Sequence, residues 1–194
     1  MSDLFVFTEA FNCGRLLIPF LDSYFQHHDE TIHIVMSKKD IEEVGSVLDN
    51  PKVVVIDVTD DQNFNRFWEH GHAGTALAFA SAIRFWGAGK KIIHFDSDVL
   101  FKQNCIDEIV EHLNNGYAVA GPMRAYKHNL GGHKQYANHP DAISTYAFGV
   151  DSTKIPEQEF SLFIQMCHGR VDPTGREVLD FFDPVTFSII DAGG

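Results

Sequence analysis

Two aspartates, Asp96 and Asp98, stand one residue apart at the end of an apolar run, Ile92-Ile93-His94-Phe95. In an extended chain, residues i and i+2 point to the same side, so the pair can present two carboxylates to one ion. Oxygen ligands suit Mg2+ or Mn2+, which also take phosphate oxygens. An ion so held would neutralise a diphosphate and stabilise it as a leaving group. A chain with this many aspartates yields about one or two Asp-x-Asp spacings by chance, so context must decide. The pair closes an apolar strand, where a solvated carboxylate meets a ligand, and Val99-Leu100-Phe101 then returns the chain to the core. The bland alternative is an aspartate-rich strand exit that caps the next element.

The elements that must position this pair read as alternating strands and helices. Leu4-Phe5-Val6-Phe7, Ile32-His33-Ile34-Val35-Met36, Val53-Val54-Val55-Ile56 and Lys91-Ile92-Ile93-His94-Phe95 are four strand-like runs, and 117–120 is a fifth. Helices are predicted over 15–26, 40–48 and 74–86. The clearest helix follows the aspartates. Ile106, Ile109, Val110 and Leu113 form one apolar stripe at i, i+3, i+4, i+7. Asn104 is its expected N-cap, Asp107 and Glu108 sit in its first turn, and Gly116 follows its end. This alternation predicts an α/β fold with a mostly parallel central sheet flanked by helices. Ligands in such folds bind outside the carboxyl ends of the strands. The residues to inspect are therefore 8–12, 57–61 and 96–98. Over 123–142 no period is visible, and Arg124, Lys127, His128, His133, Lys134 and His139 surround Gly131-Gly132. That stretch reads either as a functional loop or as a surface excursion.

The 194 residues suffice for one domain with a real core. The net charge of -12, with only 15 scattered Lys and Arg, argues against a nucleic-acid partner. An acidic chain recruits cations where it meets phosphate, which favours a metal-assisted site. Cys13, Cys105 and Cys167 are odd in number and widely spaced, which fits neither a disulfide framework nor a zinc knuckle. A reducing, cytoplasmic setting is the expectation, with no signal peptide at the N-terminus and no transmembrane segment.

The chain resembles the GT-A glycosyltransferases, and most of all the glycogenin and lipopolysaccharide galactosyltransferase group. Phe5-Val6-Phe7-Thr8, then Leu16-Leu17-Ile18-Pro19-Phe20-Leu21-Asp22-Ser23-Tyr24 and His27-His28, carry the opening of that group. The stretch 32–37 resembles its second strand, and 91–101 with Ile106-Asp107-Glu108-Ile109 its metal-binding strand and helix. The resemblance covers roughly residues 4–122. It implies a single GT-A Rossmann-like domain over 1–194, with a nucleotide-sugar-binding half, 1–122, and an acceptor-side half, 123–194. It implies a nucleotide-sugar donor, usually UDP-linked, a glycan or other hydroxyl acceptor, and Mn2+ or Mg2+. By position, Thr8 would lie near the base or ribose and Asp57 near the base, with Asn12 and Ser97 on the same donor side. Asp96 and Asp98 would be the metal carboxylates. Two features depart from the group. Ala147 in Tyr146-Ala147-Phe148-Gly149-Val150 stands where an Asn is usual, and the group's C-terminal His-x-x-Gly-x-x-Lys-like segment has no counterpart. Either the chain is a fragment, or the third ligand differs, or water replaces it.

Two further sets of residues are candidates. His72, in His70-Gly71-His72, precedes a helix that should begin at the ligand edge, where free N–H groups favour anions. Asp183 and Asp180, with Glu177, lie where such enzymes carry a carboxylate facing the acceptor hydroxyl, as general base or for positioning. Three rival readings stand beside transfer. A haloacid-dehalogenase-like phosphatase would use Asp96 as nucleophile and Asp98 as acid/base, but its motif usually opens the fold. A nucleotidyltransferase would need a Gly-rich run that is absent here. A non-catalytic module would bind the nucleotide sugar and release nothing.

Overall fold

A computed structural model describes residues 3–67, 71–122, 146–155, 170–171 and 177–178. Its centre is a six-stranded sheet in the order β3-β2-β1-β4-β6-β5. The strands are β1 (Leu4–Ala10), β2 (Ile32–Met36), β3 (Val53–Asp57), β4 (Lys91–Phe95), β5 (Val119–Ala120) and β6 (Ala147–Asp151). β1 pairs in parallel with both β2 and β4, and β2 in parallel with β3. β6 runs antiparallel to β4 and to β5, so the sheet is mixed. β6 belongs to the expected acceptor-side half, yet it completes the sheet of the other half. Two short strands, β7 (Arg170–Val171) and β8 (Glu177–Val178), pair separately.

The helices are α1 (Leu17–His27), α2 (Lys38–Val44), α3 (Gln62–Phe67), α4 (Gly71–Ser81) and α5 (Ile106–Asn114). The strands and helices expected up to 120 are present, but β1 runs on from the expected Phe7 to Ala10, and α3 and β6 fall where no element was expected. A further difference is that α4 widens into a π turn over Ala82–Trp86, where a plain helix was expected. Another is that β5 is shorter than the expected 117–120. The N-terminus of α5 is capped as predicted, since Asn104 Oδ1 accepts the N–H groups of Ile106 and Asp107 at 3.0 and 3.3 Å.

Strand alternation divides the core. Phe5, Phe7 and Ile92 face α3 and α4, where they pack with Phe64, Phe79 and Phe148. Val6, Ala10, Ile93 and Phe95 face α1 and α5, where they pack with Phe20, Tyr24, Ile109 and Leu113. Gly149 on β6 makes the second layer possible. A Cβ there would lie 2.5 Å from Ile109 Cγ2 and 2.6 Å from Ile93 Cδ1. Among the described residues no helix is long and apolar enough to cross a membrane.

Candidate functional site

The sheet order creates one special place. From β1 the chain steps outward to β2 and β3, then returns to lay β4 against the other side of β1. The two crossovers diverge between β1 and β4, and a crevice at the carboxyl ends of such a pair is where α/β folds bind ligands. Glu9 lies near the end of β1, and Asp96 follows the end of β4. The β1–β4 register aligns Phe7 with His94, so Glu9 falls opposite Asp96.

Three side chains converge at this point. Ligand atoms of Glu9, His94 and Asp96 all lie within 4.8 Å of one another. Glu9 and Asp96 come from adjacent strands, and His94 shares a face with Asp96, two residues on. His94 is 0% exposed and Glu9 6%. Their atoms Nε2 and Oε2 are 2.8 Å apart. Burying a carboxylate is costly unless it is paired, and the imidazole supplies the partner. Phe7, Phe79 and Phe148 surround the His94 ring.

The residues fit a divalent ion. Ligands held at about 2.1 Å at right angles around one ion sit about 3 Å apart, close to the Glu9–His94 spacing. The donor set of one nitrogen and two carboxylates suits a first-row transition ion as well as a harder one. Glu9 and His94 were not singled out from the sequence. The signal was there: each is an ionisable side chain inside an apolar strand run, and such groups need partners when buried.

The β1–α1 turn builds the rim of the crevice. Asp40 is fully buried at 0% exposure. Its carboxylate accepts the Asn12 N–H at 3.3 Å, the Gly14 N–H at 3.1 Å and the Ser37 hydroxyl at 2.9 Å. Asn12 turns the chain at φ 59°, a left-handed conformation that Asn tolerates better than most residues. Gly14 passes so close to α2 that a Cβ would meet the Asp40 carbonyl oxygen at 3.0 Å. The turn so held reaches across to β4, with Cys13 Sγ 3.6 Å from Ser97 Oγ. Burial raises the Cys13 thiol pKa.

The residues expected from the sequence over 8–98 now have a place. Asp96 and Ser97 are half-buried at the crevice, Asn12 is exposed on its rim, and Asp98 is exposed beyond it. Asp96 and Asp98 do not lie in an extended chain. The strand ends at Phe95, the Val99 N–H donates to the Asp96 carbonyl at 3.2 Å, and the two aspartates sit in that turn. Asp96 joins Glu9 and His94, whereas Asp98 is not a member of that group. Thr8 faces the core instead of the crevice, because even positions of β1 point toward α1 and α5. It is 0% exposed, and its hydroxyl has no hydrogen-bond partner among the described residues.

Asp57 is exposed at the end of β3, two strands from β1 and so about 10 Å away in the sheet. The Thr59 hydroxyl and N–H hold its pKa below the usual value. His72 lies in the first turn of α4. That turn packs near the crevice, since a Cβ on Gly74 would be 3.1 Å from the Phe11 ring. Asp180, Asp183 and the 123–142 stretch lie outside the described residues. On the opposite, α5 side of the sheet edge, Leu100, Phe101, Lys102, His112 and Tyr146 line a cavity of ≈ 340 Å³.

An α/β domain with a six-stranded sheet and its crevice between β1 and β4 is consistent with a GT-A-like fold. Among solved structures the chain is similar to an active-site mutant of LgtC. The match has a TM-score of 0.54 and 14% identity, and covers 78% of this chain and 58% of that one. It is also similar to the galactosyltransferase LgtC in complex with donor and acceptor sugar analogs, with a TM-score of 0.50, 13% identity and the same coverage, 78% and 58%. The chain thus spans a little under three-fifths of the length of these structures, and at this identity the likeness is one of fold. No protein-family profile matches the chain. No curated protein sequence matches it either.

Proposed function

We propose that this domain is a metal-dependent glycosyltransferase that moves a hexosyl group from a nucleotide sugar, UDP-linked, to a hydroxyl acceptor. One observation carries the reading: the Glu9, His94 and Asp96 ligand atoms gather within 4.8 Å at the β1–β4 crevice, on a fold similar to that of a galactosyltransferase. In this reading Asp96 holds the ion, with Glu9 and His94 beside it and Asp98 reaching it from the exposed side of the turn. When bound, Mn2+ or Mg2+ would supply neutralisation of the diphosphate leaving group.

The chain's own residues do the positioning. Asp40 fixes the turn that carries Asn12 and Cys13 along the donor side. Ser97 and the first turn of α4, with His72, border the same crevice. Asp57 lies farther along the carboxyl edge, toward the base. Asp183 or Asp180 is the proposed carboxylate toward the acceptor hydroxyl, as base or as positioning group.

A thermal-shift panel of UDP, GDP and ADP, each with and without Mn2+, tests the reading. UDP with Mn2+ should raise the melting temperature most, and Asp96→Ala should abolish the increment. No stabilisation by any nucleoside diphosphate, together with wild-type behaviour of Asp96→Ala and Asp98→Ala, would sink it. UDP release from a UDP-hexose separates a transferase from a module that only binds. Phosphoryl-aspartate formation from a phosphate ester would decide for a phosphatase instead.

A further inference from the structure

β3 forms one edge of the sheet. The Ile32 N–H donates to the Lys52 carbonyl, and the Val58 N–H to the Met36 carbonyl. With the register Ile32↔Val53 through Met36↔Asp57, these bonds turn the even positions of β3 toward β2 and the odd positions outward. The Val53 N–H is used locally, by the Asn50 carbonyl at 2.8 Å. The Val53 carbonyl, both backbone groups of Val55 and both of Asp57 are left facing away from the sheet. None of these five has a protein partner among the described residues. Natural edges refuse partners with charges, prolines or bulges. From Val53 to Ile56 this edge carries none, and Val54 is 41% exposed.

We propose that β3 pairs antiparallel with β3 of a second copy of the chain, about a two-fold axis at Val55. An axis normal to the sheet keeps each side chain on its own face, so paired positions must share parity. Centring on Val55 meets that condition and uses the outward groups in order. Each Val55 N–H donates to the partner's Val55 carbonyl, and each Asp57 N–H to the partner's Val53 carbonyl. Only the Asp57 carbonyl is left over, opposite the Val53 N–H that is already satisfied. Between these pairs, Val54 meets the partner's Ile56 with Cβ atoms about 5 Å apart, which covers the exposed valine. One two-fold operation satisfies every contact twice and then closes, which is why a second copy fits better than an unrelated strand. The net charge of -12 on each copy opposes association, so added salt strengthens the pair.

Sedimentation from about 5 to about 500 µM, the range in which a small interface associates, tests this. Wild type should form dimers that tighten with salt and stop at two copies. Val55→Pro deletes an outward N–H and leaves the bonds to β2 intact, as an edge strand tolerates. Val54→Lys places an ammonium against the partner's Ile56 from an already exposed position. Each should raise the dimer midpoint at least about tenfold, because each removes a contact made twice. A wild type that stays monomeric across the range would overturn the proposal. So would growth beyond two copies, or dimers that persist unchanged in both variants. If Val55→Pro does not fold by circular dichroism, Val54→Lys alone decides.

Discussion

Replacing Asp40 by Asn changes almost no volume yet sets two donors against each other. The carboxylate accepts the Gly14 N–H on one oxygen and the Asn12 N–H and Ser37 hydroxyl on the other. An amide has one oxygen. With that oxygen toward Asn12 and Ser37, its NH2 faces the Gly14 N–H, and a buried donor is stranded. Turned the other way, it strands the Asn12 N–H, while the Ser37 hydroxyl can rotate to accept. Leaving one buried donor unmade costs about 1–3 kcal/mol, and losing the charge weakens the bonds that survive. The expected loss is about 2–3 kcal/mol, read as a lower urea midpoint at unchanged slope. For a domain of this size it lowers the melting temperature by roughly 4–12 °C. Amide hydrogen exchange at Asn12 and Gly14 should speed up more than exchange in α5, because the turn loosens before the core does. A change below about 0.5 kcal/mol, with exchange unaltered, would refute the view that Asp40 builds the rim.

Three other outcomes are expected. Gly149→Ala forces a methyl to within 2.5 Å of Ile109 Cγ2 and 2.6 Å of Ile93 Cδ1 and should destabilise by about 1–3 kcal/mol in urea melts; adding Ile93→Val, which removes that Cδ1, should restore part of the loss. His28 and His33 both have pKa values below their ordinary 6.5 because burial disfavours the charged ring. The unfolded chain then binds more protons, so their contribution is complete above pH 6.5 and falls as pH drops through the lower folded values, which urea melts between pH 7.5 and 5 will record. In an ion panel without nucleotide, Mn2+, Co2+ or Zn2+ should raise the melting temperature more than Mg2+, since one donor is an imidazole nitrogen. His94→Gln should remove that preference and Glu9→Gln should weaken the response to every ion, and a panel with no difference among ions would count against the three-ligand arrangement.

The periodic elements were legible because their causes are local. The stripe in α5 and its Asn104 cap, and the aliphatic runs of β2 and β4, all follow from spacing alone. So did the position of Asp96 at a strand's carboxyl end. What spacing does not contain is which strands become neighbours. The return of β4 to the side of β1 is a choice of chain crossover, and it alone brings Glu9, 85 residues away, to 2.8 Å from His94. The same choice turned Thr8 into the core, since strand parity relative to the two helical layers fixes which side of β1 meets the crevice. Asp40 tells the same story: its sequence neighbourhood reads as an ordinary helix start, and only the fold folds the β1–α1 turn onto it. The Asp96–Asp98 pair thus came from the sequence as two carboxylates on one strand. In the structure the strand stops at Phe95 and both aspartates sit in the turn after it, with Asp96 beside the buried Glu9 and His94, because a strand's periodicity ends where its ladder ends.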